Sequence, residues 1–275
     1  MWPRTPRFRH FRAIYVVFIN GAKYIAASNV FYGTGGGSRR IRDISMDRRL
    51  APANGLRMIS FEQARRNMVD NQLRPNKVTD SRVIDAMLSV EREKFAPEDL
   101  RGVAYVDEDI PVGKGRVLME PMVLARLLQA AEIGAGDVVL DIGAGTGYTA
   151  AVCARLAATV VAIESDSRLH RDATRILSEL GIDNAVTVEA PLLEGYPQQA
   201  PYDVIVFSGA VEEIPEHILS QLAVGGRLVA VVARPGSAPA ARLARNCAGT
   251  IAFVTLFDAS VPCLPGFERK PDFVF

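Results

Sequence analysis

The chain has 275 residues and a formal net charge of +1, with 49% hydrophobic and 23% charged residues. That length and apolar content are sufficient for a soluble globular protein of one large domain or two small ones. Residues 1–57 carry eleven Lys or Arg against two Asp or Glu, and the remainder carries 21 against 29, so the main part of the chain lacks the basic surface typical of nucleic-acid-binding proteins.

The first 57 residues differ in character from the rest. Their apolar stretch is interrupted by Asn20 and Lys23, which leaves it far shorter than the roughly 18 residues that a membrane span needs. A short signal segment or an Arg-rich transit peptide has a similar composition. Because patterned sequence begins at Met58, we interpret residues 1–57 as a disordered leader or an upstream read-through, and residues 58–275 as the functional domain.

Two helices are expected at the start of this domain. Ser60, with a glutamine three residues later, predicts a capping box and a helix that ends before the next proline. Asp80 can cap a second helix, whose apolar residues recur at helical spacing. An irregular stretch rich in glycine and acidic residues follows over 104–120, and Pro121 suits the first position of the next helix. Residues 58–120 are therefore predicted to form a helical preface with an active-site loop.

From residue 121 onward, apolar strands alternate with helices. Nearly continuous runs of Val, Ile and Leu are typical of parallel strands buried on both faces by helices. The pattern predicts a doubly wound α/β nucleotide-binding core over residues 121–275. The predicted strands are 137–142, 158–164, 185–189, 202–208, 227–233 and a strand-rich region at 250–259, and the predicted helices are 121–132, 147–157, 167–180 and 215–223.

A glycine-rich turn follows the first strand of this core, in the sequence VVLDIGAGTGYTAAV. In a parallel sheet such a turn lies at the carboxyl edge of the strands, where ligands bind. A dinucleotide fingerprint reads G-x-G-x-x-G, whereas Gly143, Gly145 and Gly147 are spaced two by two and Tyr148 stands at the third dinucleotide position. The spacing, preceded by Asp141, resembles the nucleotide motif of class I S-adenosylmethionine-dependent methyltransferases, in which this carboxylate lies near the methionine portion of the ligand.

Glu164 ends the next predicted strand, about twenty residues after the glycine turn. An acidic side chain at this place can accept both hydrogen bonds of a ribose diol. The alternative is a tight turn without a ligand and a carboxylate in solvent.

Three cysteines and three histidines are scattered without the spacing of metal ligands. Cysteines that are few and unpatterned favour a reducing compartment. We therefore expect no metal site and a cytoplasmic protein.

Four segments together resemble the protein-L-isoaspartate O-methyltransferase family, from about Met58 to the C-terminus. They are VEREKFAPEDLRGVAYVDEDIPVGKG, DIGAGTGYTAAVCARL, APYDVIVFSGAVEEIP and LSQLAVGGRLVAVV. The resemblance implies a Rossmann-like sheet of seven mostly parallel strands, S-adenosyl-L-methionine as cofactor, and methylation of isoaspartyl carboxylates in damaged proteins or peptides. It implies cofactor binding by Asp141, Gly143, Gly145, Gly147 and Glu164. We expect a monomer with no nucleic-acid or membrane partner.

The methyl transfer implied by this resemblance needs few catalytic groups from the protein. A carboxylate with an ordinary pKa of about 3.9 is already ionised at neutral pH. Methyl transfer from a sulfonium then needs orientation and closeness rather than a general base.

The sequence departs from the family pattern at two places. After VGKG the family reads Gln-Thr-Ile-Ser, whereas this chain has Arg116-Val-Leu-Met119, so no catalytic hydroxyl is assigned. Arg116 is either an acceptor contact or an exposed loop arginine, and Asp107 is either an acceptor contact or a plain surface acid. Where the family has Gly-Asp-Gly beside the adenine, Pro191 replaces the aspartate.

Other functions remain open at the level of sequence. One is a methyltransferase for a different acceptor, and another is a catalytically impaired cofactor-binding sensor or scaffold. A nicotinamide oxidoreductase is disfavoured by Tyr148. Methyl turnover distinguishes the enzymes from the sensor, and cofactor titration tests the nicotinamide alternative.

Overall fold

A computed structural model of the chain describes residues 10–19, 22–31, 59–234 and 236–268. The chain divides into two units, Met1–Met58 and Ile59–Phe275. In the first unit, strand β1 (His10–Ile19) pairs antiparallel with β2 (Ala22–Phe31).

These two strands differ from the disordered leader expected over residues 1–57. Both segments are rich in β-branched and aromatic residues, which favour strands. The residues between paired Ile19 and Ala22 are Asn20 and Gly21 in the sequence, and Asn-Gly between two apolar runs is the strongest short-range hairpin signal. The other residues of the predicted leader lie outside the described part of the chain.

The second unit begins with the two predicted helices. Helix α1 (Phe61–Met68) continues as one wider turn to Leu73, and Ser60 caps it by accepting the Gln63 N–H. Helix α2 (Ser81–Ser89) is capped by Asp80, which accepts the N–H of Arg82. Both N-caps confirm predictions from local sequence, but the Gln63 side chain donates to Asn67 Oδ1 instead of completing the capping box.

The stretch 104–120, predicted to be irregular, contains a short hairpin. Strands β3 (Ile110–Gly113) and β4 (Arg116–Leu118) pair antiparallel with Ile110 opposite Leu118. Helix α3 (Pro121–Ala131) then begins at the predicted proline.

A seven-stranded sheet forms the centre of the unit and confirms the predicted fold. Its order is β11-β10-β9-β8-β5-β6-β7, in which the five strands from β9 to β7 are mutually parallel and β10 and β11 complete an antiparallel edge. The elements are β5 (Val138–Ile142), α4 (Tyr148–Cys153), β6 (Thr159–Glu164), α5 (Ser167–Glu179), β7 (Ala185–Glu189), β8 (Tyr202–Val211), α6 (Glu216–Leu219), β9 (Leu222–Val232), β10 (Ala240–Cys247) and β11 (Thr250–Asp258).

The chain order places a ligand-binding crevice beside β5. From β5 the chain runs to β6 and β7 on one side, then returns to β8 on the other side of β5. Ligands of open α/β sheets bind at the carboxyl ends of the strands at such a switch point. The glycine turn after β5 lies there.

Both faces of the sheet are buried. On one side, α3, α4 and α5 pack on the strands and share a core with α1 and α2. Leu140 and Ile142 of β5 belong to the core on the other side, which includes residues of α6 and Phe267. Within the described residues, no helix is both long and apolar enough to cross a lipid bilayer.

Two helices are shorter than predicted. Helix α4 ends at Cys153 rather than 157, because residues 154–157 form a turn that leads into β6. Helix α6 ends at Leu219, because Leu222 already pairs with Tyr202 on the neighbouring strand. At the C-terminal ends of both helices, the start of the next strand overrides the local helical pattern.

Candidate functional site

The glycine turn adopts a backbone that requires glycine. Gly143, Gly145 and Gly147 have φ of 83°, 59° and 94°, a region that side chains with a Cβ rarely adopt. The N–H of Gly145 donates to Glu164 Oε2 at 2.8 Å. A Cβ on Gly147 would lie 3.2 Å from the Cβ of Ala173, so this glycine permits close packing of α5 against the turn.

Glu164 is buried at the end of β6, with 2% of its surface exposed. Its Oε1 accepts the backbone N–H groups of Ser165 at 2.8 Å and Asp166 at 3.0 Å. Its Oε2 accepts the Gly145 N–H and lies 3.2 Å from Arg116 Nη2. The carboxylate predicted to bind ribose is therefore held by three backbone donors, one guanidinium and, at 3.5 Å, the Ser165 hydroxyl.

Arg116 is buried, with 3% of its surface exposed. The alternative of an exposed loop arginine is therefore wrong. Besides its ion pair with Glu164, the guanidinium donates to the carbonyl oxygen of Gly143. Burial lowers the Arg116 pKa, whereas the charges of Glu164 and Asp141 raise it. The β3–β4 hairpin folds over the glycine turn and carries this side chain inward.

Asp141 lies within β5 and is fully buried. Its Oδ1 accepts a hydrogen bond of 2.6 Å from the hydroxyl of Ser208, and its Oδ2 has no hydrogen-bond partner among the described residues. Burial raises the pKa of Asp141 to about 7, against the lowering effect of the Ser208 hydroxyl and of Arg116. The carboxylate thus keeps one oxygen free to bind a cationic ligand group.

Sequence reasoning missed the role of Ser208. Ile142 of β5 pairs with Phe207 of β8. Ser208 is the next residue of β8, and its hydroxyl reaches Asp141. A serine that ends the apolar run of a strand beside the glycine turn was the available signal.

The expected acceptor side contains Met119 and Asp107. Met119 is a buried core residue whose carbonyl accepts from Arg92 Nη2 at 2.8 Å. Asp107 is half-buried and accepts the N–H of Met122 at 3.3 Å. The structure therefore uses Asp107 to hold the start of α3 and places no hydroxyl side chain at position 119.

Arg92 is a second buried arginine that sequence reasoning missed. Its Nε donates to the Ala104 carbonyl at 2.7 Å, and its guanidinium carbon lies 4.7 Å from the centre of the Tyr148 ring. With its bond to Met119, these contacts fix both ends of the loop against helix α4. Tyr148, which stands where a dinucleotide-binding turn has its third glycine, therefore packs its ring against the Arg92 guanidinium.

The polar groups of this site fit S-adenosyl-L-methionine. A free, buried Asp141 oxygen suits an ammonium group, and a Cβ on Gly145 would find only Val112, at 4.0 Å. Glu164 is an acceptor of the kind that binds a diol. Pro191, at the place expected beside the adenine, is exposed and supplies no donor. No cluster of three His, Cys, Asp or Glu side chains suited to a metal occurs in the described residues.

Comparison with known proteins identifies the family. Residues 63–259 match the family model described as protein-L-isoaspartate(D-aspartate) O-methyltransferase. Protein-L-isoaspartate O-methyltransferase 1 of Rhodopseudomonas palustris (strain HaA2) is 38% identical over 210 residues, which are 76% of this chain and 86% of the relative. Protein-L-isoaspartate O-methyltransferase 2 of Anaeromyxobacter sp. (strain Fw109-5) is 43% identical over 168 residues, which are 61% and 69%.

Solved structures agree in fold. A protein-L-isoaspartate O-methyltransferase superposes with a TM-score of 0.64 at 25% identity, over 75% of this chain and 66% of that one. A second structure, from Plasmodium falciparum and in complex with S-adenosyl-L-homocysteine, gives 0.64 at 21% identity over 73% and 97%. From the extent of the family match and the identity with its relatives, this chain belongs to the protein-L-isoaspartate(D-aspartate) O-methyltransferase family.

Proposed function

We propose that this chain transfers a methyl group from S-adenosyl-L-methionine to the carboxylate of isoaspartyl residues in damaged proteins or peptides. The observation that carries the proposal is the buried cluster of Asp141, the glycine turn and Glu164 at the switch point of the sheet. Family membership identifies the class of reaction, and this cluster supplies polar groups suited to the cofactor.

Each residue of the cluster has a proposed task. Glu164 accepts hydrogen bonds from the ribose hydroxyls, and Asp141 binds the ammonium group through its free oxygen. Gly145 lets the backbone approach the ligand, because a side chain there would occupy that space. When bound, the cofactor supplies an electrophilic methyl group on a positively charged sulfur.

The chain needs to orient the acceptor rather than activate it. An isoaspartyl carboxylate is ionised at neutral pH, and alignment with the methyl group is the main requirement. The hydroxyls of the family motif are replaced by Val117 and Met119. A lost hydrogen bond to a charged group costs about 1.5–3 kcal/mol, which slows transfer roughly ten- to a hundredfold without abolishing it.

The same replacement favours a second candidate, methylation of a different acceptor. Val117 and Met119 make this part of the hairpin apolar, and Met119 is buried in the core. A cofactor-binding sensor without turnover is the corresponding non-enzymatic alternative. Both retain the cofactor cluster, so only an acceptor assay separates them.

One preparation tests all three alternatives. S-adenosyl-L-homocysteine is titrated calorimetrically, and radiolabelled methyl transfer is then measured to an isoaspartyl peptide and to its aspartyl twin. Binding with selective transfer to the isoaspartyl peptide supports the proposal. Transfer without that selectivity identifies a different acceptor class, binding without transfer identifies a sensor, and absence of binding contradicts every cofactor role given above.

We also propose that the protein acts as a cytoplasmic monomer on protein or peptide carboxylates, with no nucleic-acid or membrane partner. Three free cysteines, Cys153, Cys247 and Cys263, suit a reducing compartment. Residues 1–57 are proposed to be dispensable for this activity.

A further inference from the structure

We propose that Arg116 competes with the cofactor for Glu164, is expelled when the cofactor binds, and then binds the carboxylate of the acceptor. The inference rests on the proposed function, because it uses the same cofactor cluster. It assigns to Arg116 a role in acceptor specificity that replaces the missing hydroxyls of the hairpin.

The first argument is the saturation of Glu164. A carboxylate offers about four acceptor positions, and three backbone N–H groups, one guanidinium and, at 3.5 Å, the Ser165 hydroxyl already contact this one. Each ribose hydroxyl needs a position on one of the same two oxygens, so at least one side-chain contact has to be given up. The backbone donors belong to the glycine turn and to the start of α5, so they cannot leave without undoing both. Arg116 is a side chain and can leave.

The second argument is charge. Arg116 is the cation paired with Glu164, and its charge also interacts with that of Asp141. S-adenosyl-L-methionine carries a sulfonium, an ammonium and a carboxylate and is positively charged overall, and its ammonium is assigned above to Asp141. Like charges within a few ångströms repel strongly in a buried site, so a guanidinium between Glu164 and Asp141 disfavours the cationic groups of the cofactor. Binding therefore exchanges one set of cations for another.

The third argument is where the released side chain remains. Arg116 is the first residue of β4, directly before Val117 and Met119, which stand where the family has its hydroxyls. A guanidinium swung away from Glu164 stays on this hairpin. Guanidinium groups bind carboxylates through two parallel hydrogen bonds, which suits an isoaspartyl carboxylate. The cofactor thus has to bind before the acceptor.

The hairpin that carries Arg116 has a tight turn and a second anchor. Gly113, Lys114 and Gly115, which precede Arg116, have φ of 119°, 46° and 75°. Arg168 holds the hairpin from outside by donating to the Val112 carbonyl at 2.8 Å. The ion pair and this outer contact are separate, so they can be removed independently.

The test compares full-length Arg116→Gln and Arg168→Gln with the unsubstituted protein by calorimetric titration with S-adenosyl-L-homocysteine. Removing the competitor is expected to lower the Kd about tenfold, the value of one hydrogen bond to a charged group. Arg168→Gln loosens the hairpin but leaves the ion pair, and its Kd is expected to stay within twofold. An unchanged or higher Kd for Arg116→Gln overturns the proposal, since Arg116 then supports the cofactor. Equal tightening in Arg168→Gln overturns it as well.

A second titration tests the acceptor. An isoaspartyl peptide is added to each protein saturated with S-adenosyl-L-homocysteine, and to each protein alone. The unsubstituted protein is expected to bind the peptide only in the saturated form, and Arg116→Gln to bind it at least tenfold more weakly. Equal peptide affinity in the two proteins, or peptide binding without the cofactor product, overturns the acceptor role.

The two proposals fail in different ways. Absence of methyl transfer by the unsubstituted protein contradicts the proposed function and leaves both titrations decisive for Arg116. If Arg116→Gln does not fold, Arg116→Lys is measured in its place. It keeps the charge but loses the planar fork, and its Kd for S-adenosyl-L-homocysteine is expected to fall about threefold. An unchanged or higher Kd for Arg116→Lys likewise overturns the proposal.

Discussion

The three glycines of the turn have different tasks. The N–H of Gly143 donates to the carbonyl of Ile163, and that of Gly145 donates to Glu164. Gly147 instead provides room for Ala173. Although the sequence spacing makes the three equivalent, we infer that only the first two face the cofactor side.

Alanine at two of these positions separates packing from binding. Gly147→Ala places a Cβ 3.2 Å from Ala173 at a φ of 94°, and we expect the free energy of unfolding to fall by about 1–3 kcal/mol while the folded protein keeps its affinity for S-adenosyl-L-homocysteine. Gly145→Ala has room within the protein, costs about 1 kcal/mol and is expected to weaken binding at least tenfold. Denaturant melts and calorimetry measure both quantities. The reverse pattern contradicts the assignment.

Ser208 is expected to set the pH at which the cofactor binds. Its hydroxyl stabilises the ionised form of Asp141, whose pKa is about 7. Affinity for S-adenosyl-L-homocysteine is therefore expected to increase from pH 6 to pH 8, as Asp141 loses its proton and can bind the ammonium group. In Ser208→Ala the pKa of Asp141 rises further, so the increase moves to higher pH and affinity at pH 7 falls about tenfold.

Calorimetric titrations at pH 6, 7, 8 and 8.5 measure this dependence. Ser220→Ala, which removes a hydroxyl from the exposed surface, is the control. A pH profile that is the same in Ser208→Ala and the control contradicts the role of Ser208.

At the scale of elements, acidic side chains before β3 lie near Glu120 at the start of α3 and concentrate negative charge there. Burial, followed by the charges of Asp107 and Asp109, raises the pKa of Glu120 to about 7. Burial raises the pKa of Asp109 to about 6. The folded chain therefore holds protons that the unfolded chain has lost above about pH 4.5. The contribution of these two groups to the free energy of unfolding is expected to fall as pH rises through this window and to level off above pH 7.

Glu120→Gln removes part of this dependence. Glu120 is half-buried, so screening by water reduces the effect of its pKa shift, and we expect a gain of about 1 kcal/mol at pH 8 with little change at pH 5. Denaturant melts at the two pH values measure it. Glu98→Gln, at an exposed carboxylate, is the control. A gain of equal size at both pH values contradicts the electrostatic cause.

Strand β11 forms one edge of the sheet and is apolar along much of its length. Phe253 and Val254 are 49% and 54% exposed, and an apolar edge strand is a template for association. Val254→Lys is expected to reduce concentration-dependent light scattering, while stability changes by less than about 0.5 kcal/mol. Val224→Lys, at an exposed position of β9, adds the same charge away from the edge. Equal improvement in both variants would show a general effect of charge.

The sequence predicts those elements whose ends depend on local chemistry. Ser60, Asp80 and Pro121 each determine a helix start through their own side chain or ring, and all three predictions are confirmed. The lengths of α4 and α6 depend instead on strands that are distant in sequence. Periodicity within a short window cannot contain that information.

At the scale of the whole molecule, the sequence predicts where the candidate site lies but not the contacts that the site residues make. Asp141 and Glu164 follow from the ends of two strands that the apolar pattern predicts. The burial of Arg116 depends on a hairpin folding over a turn 27 residues later in the chain, and composition described that hairpin only as an irregular loop. Contacts between separate loops need the folded chain.

All residues of the proposed site belong to the unit Ile59–Phe275. A chain that begins at Met58 is therefore expected to bind S-adenosyl-L-homocysteine with a Kd within twofold of that of the full chain. At a concentration one hundred times the Kd, the ligand should stabilise both chains by about 2.7 kcal/mol. Calorimetry and thermal melts measure these quantities. A tenfold loss of affinity in the shorter chain would show that the first unit contributes to the site.

The ion pair between Arg116 and Glu164 also bears on how long the protein survives in a cell. A buried carboxylate without a partner destabilises its surroundings, and proteases degrade a protein in proportion to how often it opens. A chain that supplies its own counterion avoids this exposure whenever the methyl donor is scarce. The unliganded protein should then open less often, and be degraded more slowly, than a protein in which Glu164 has no counterion.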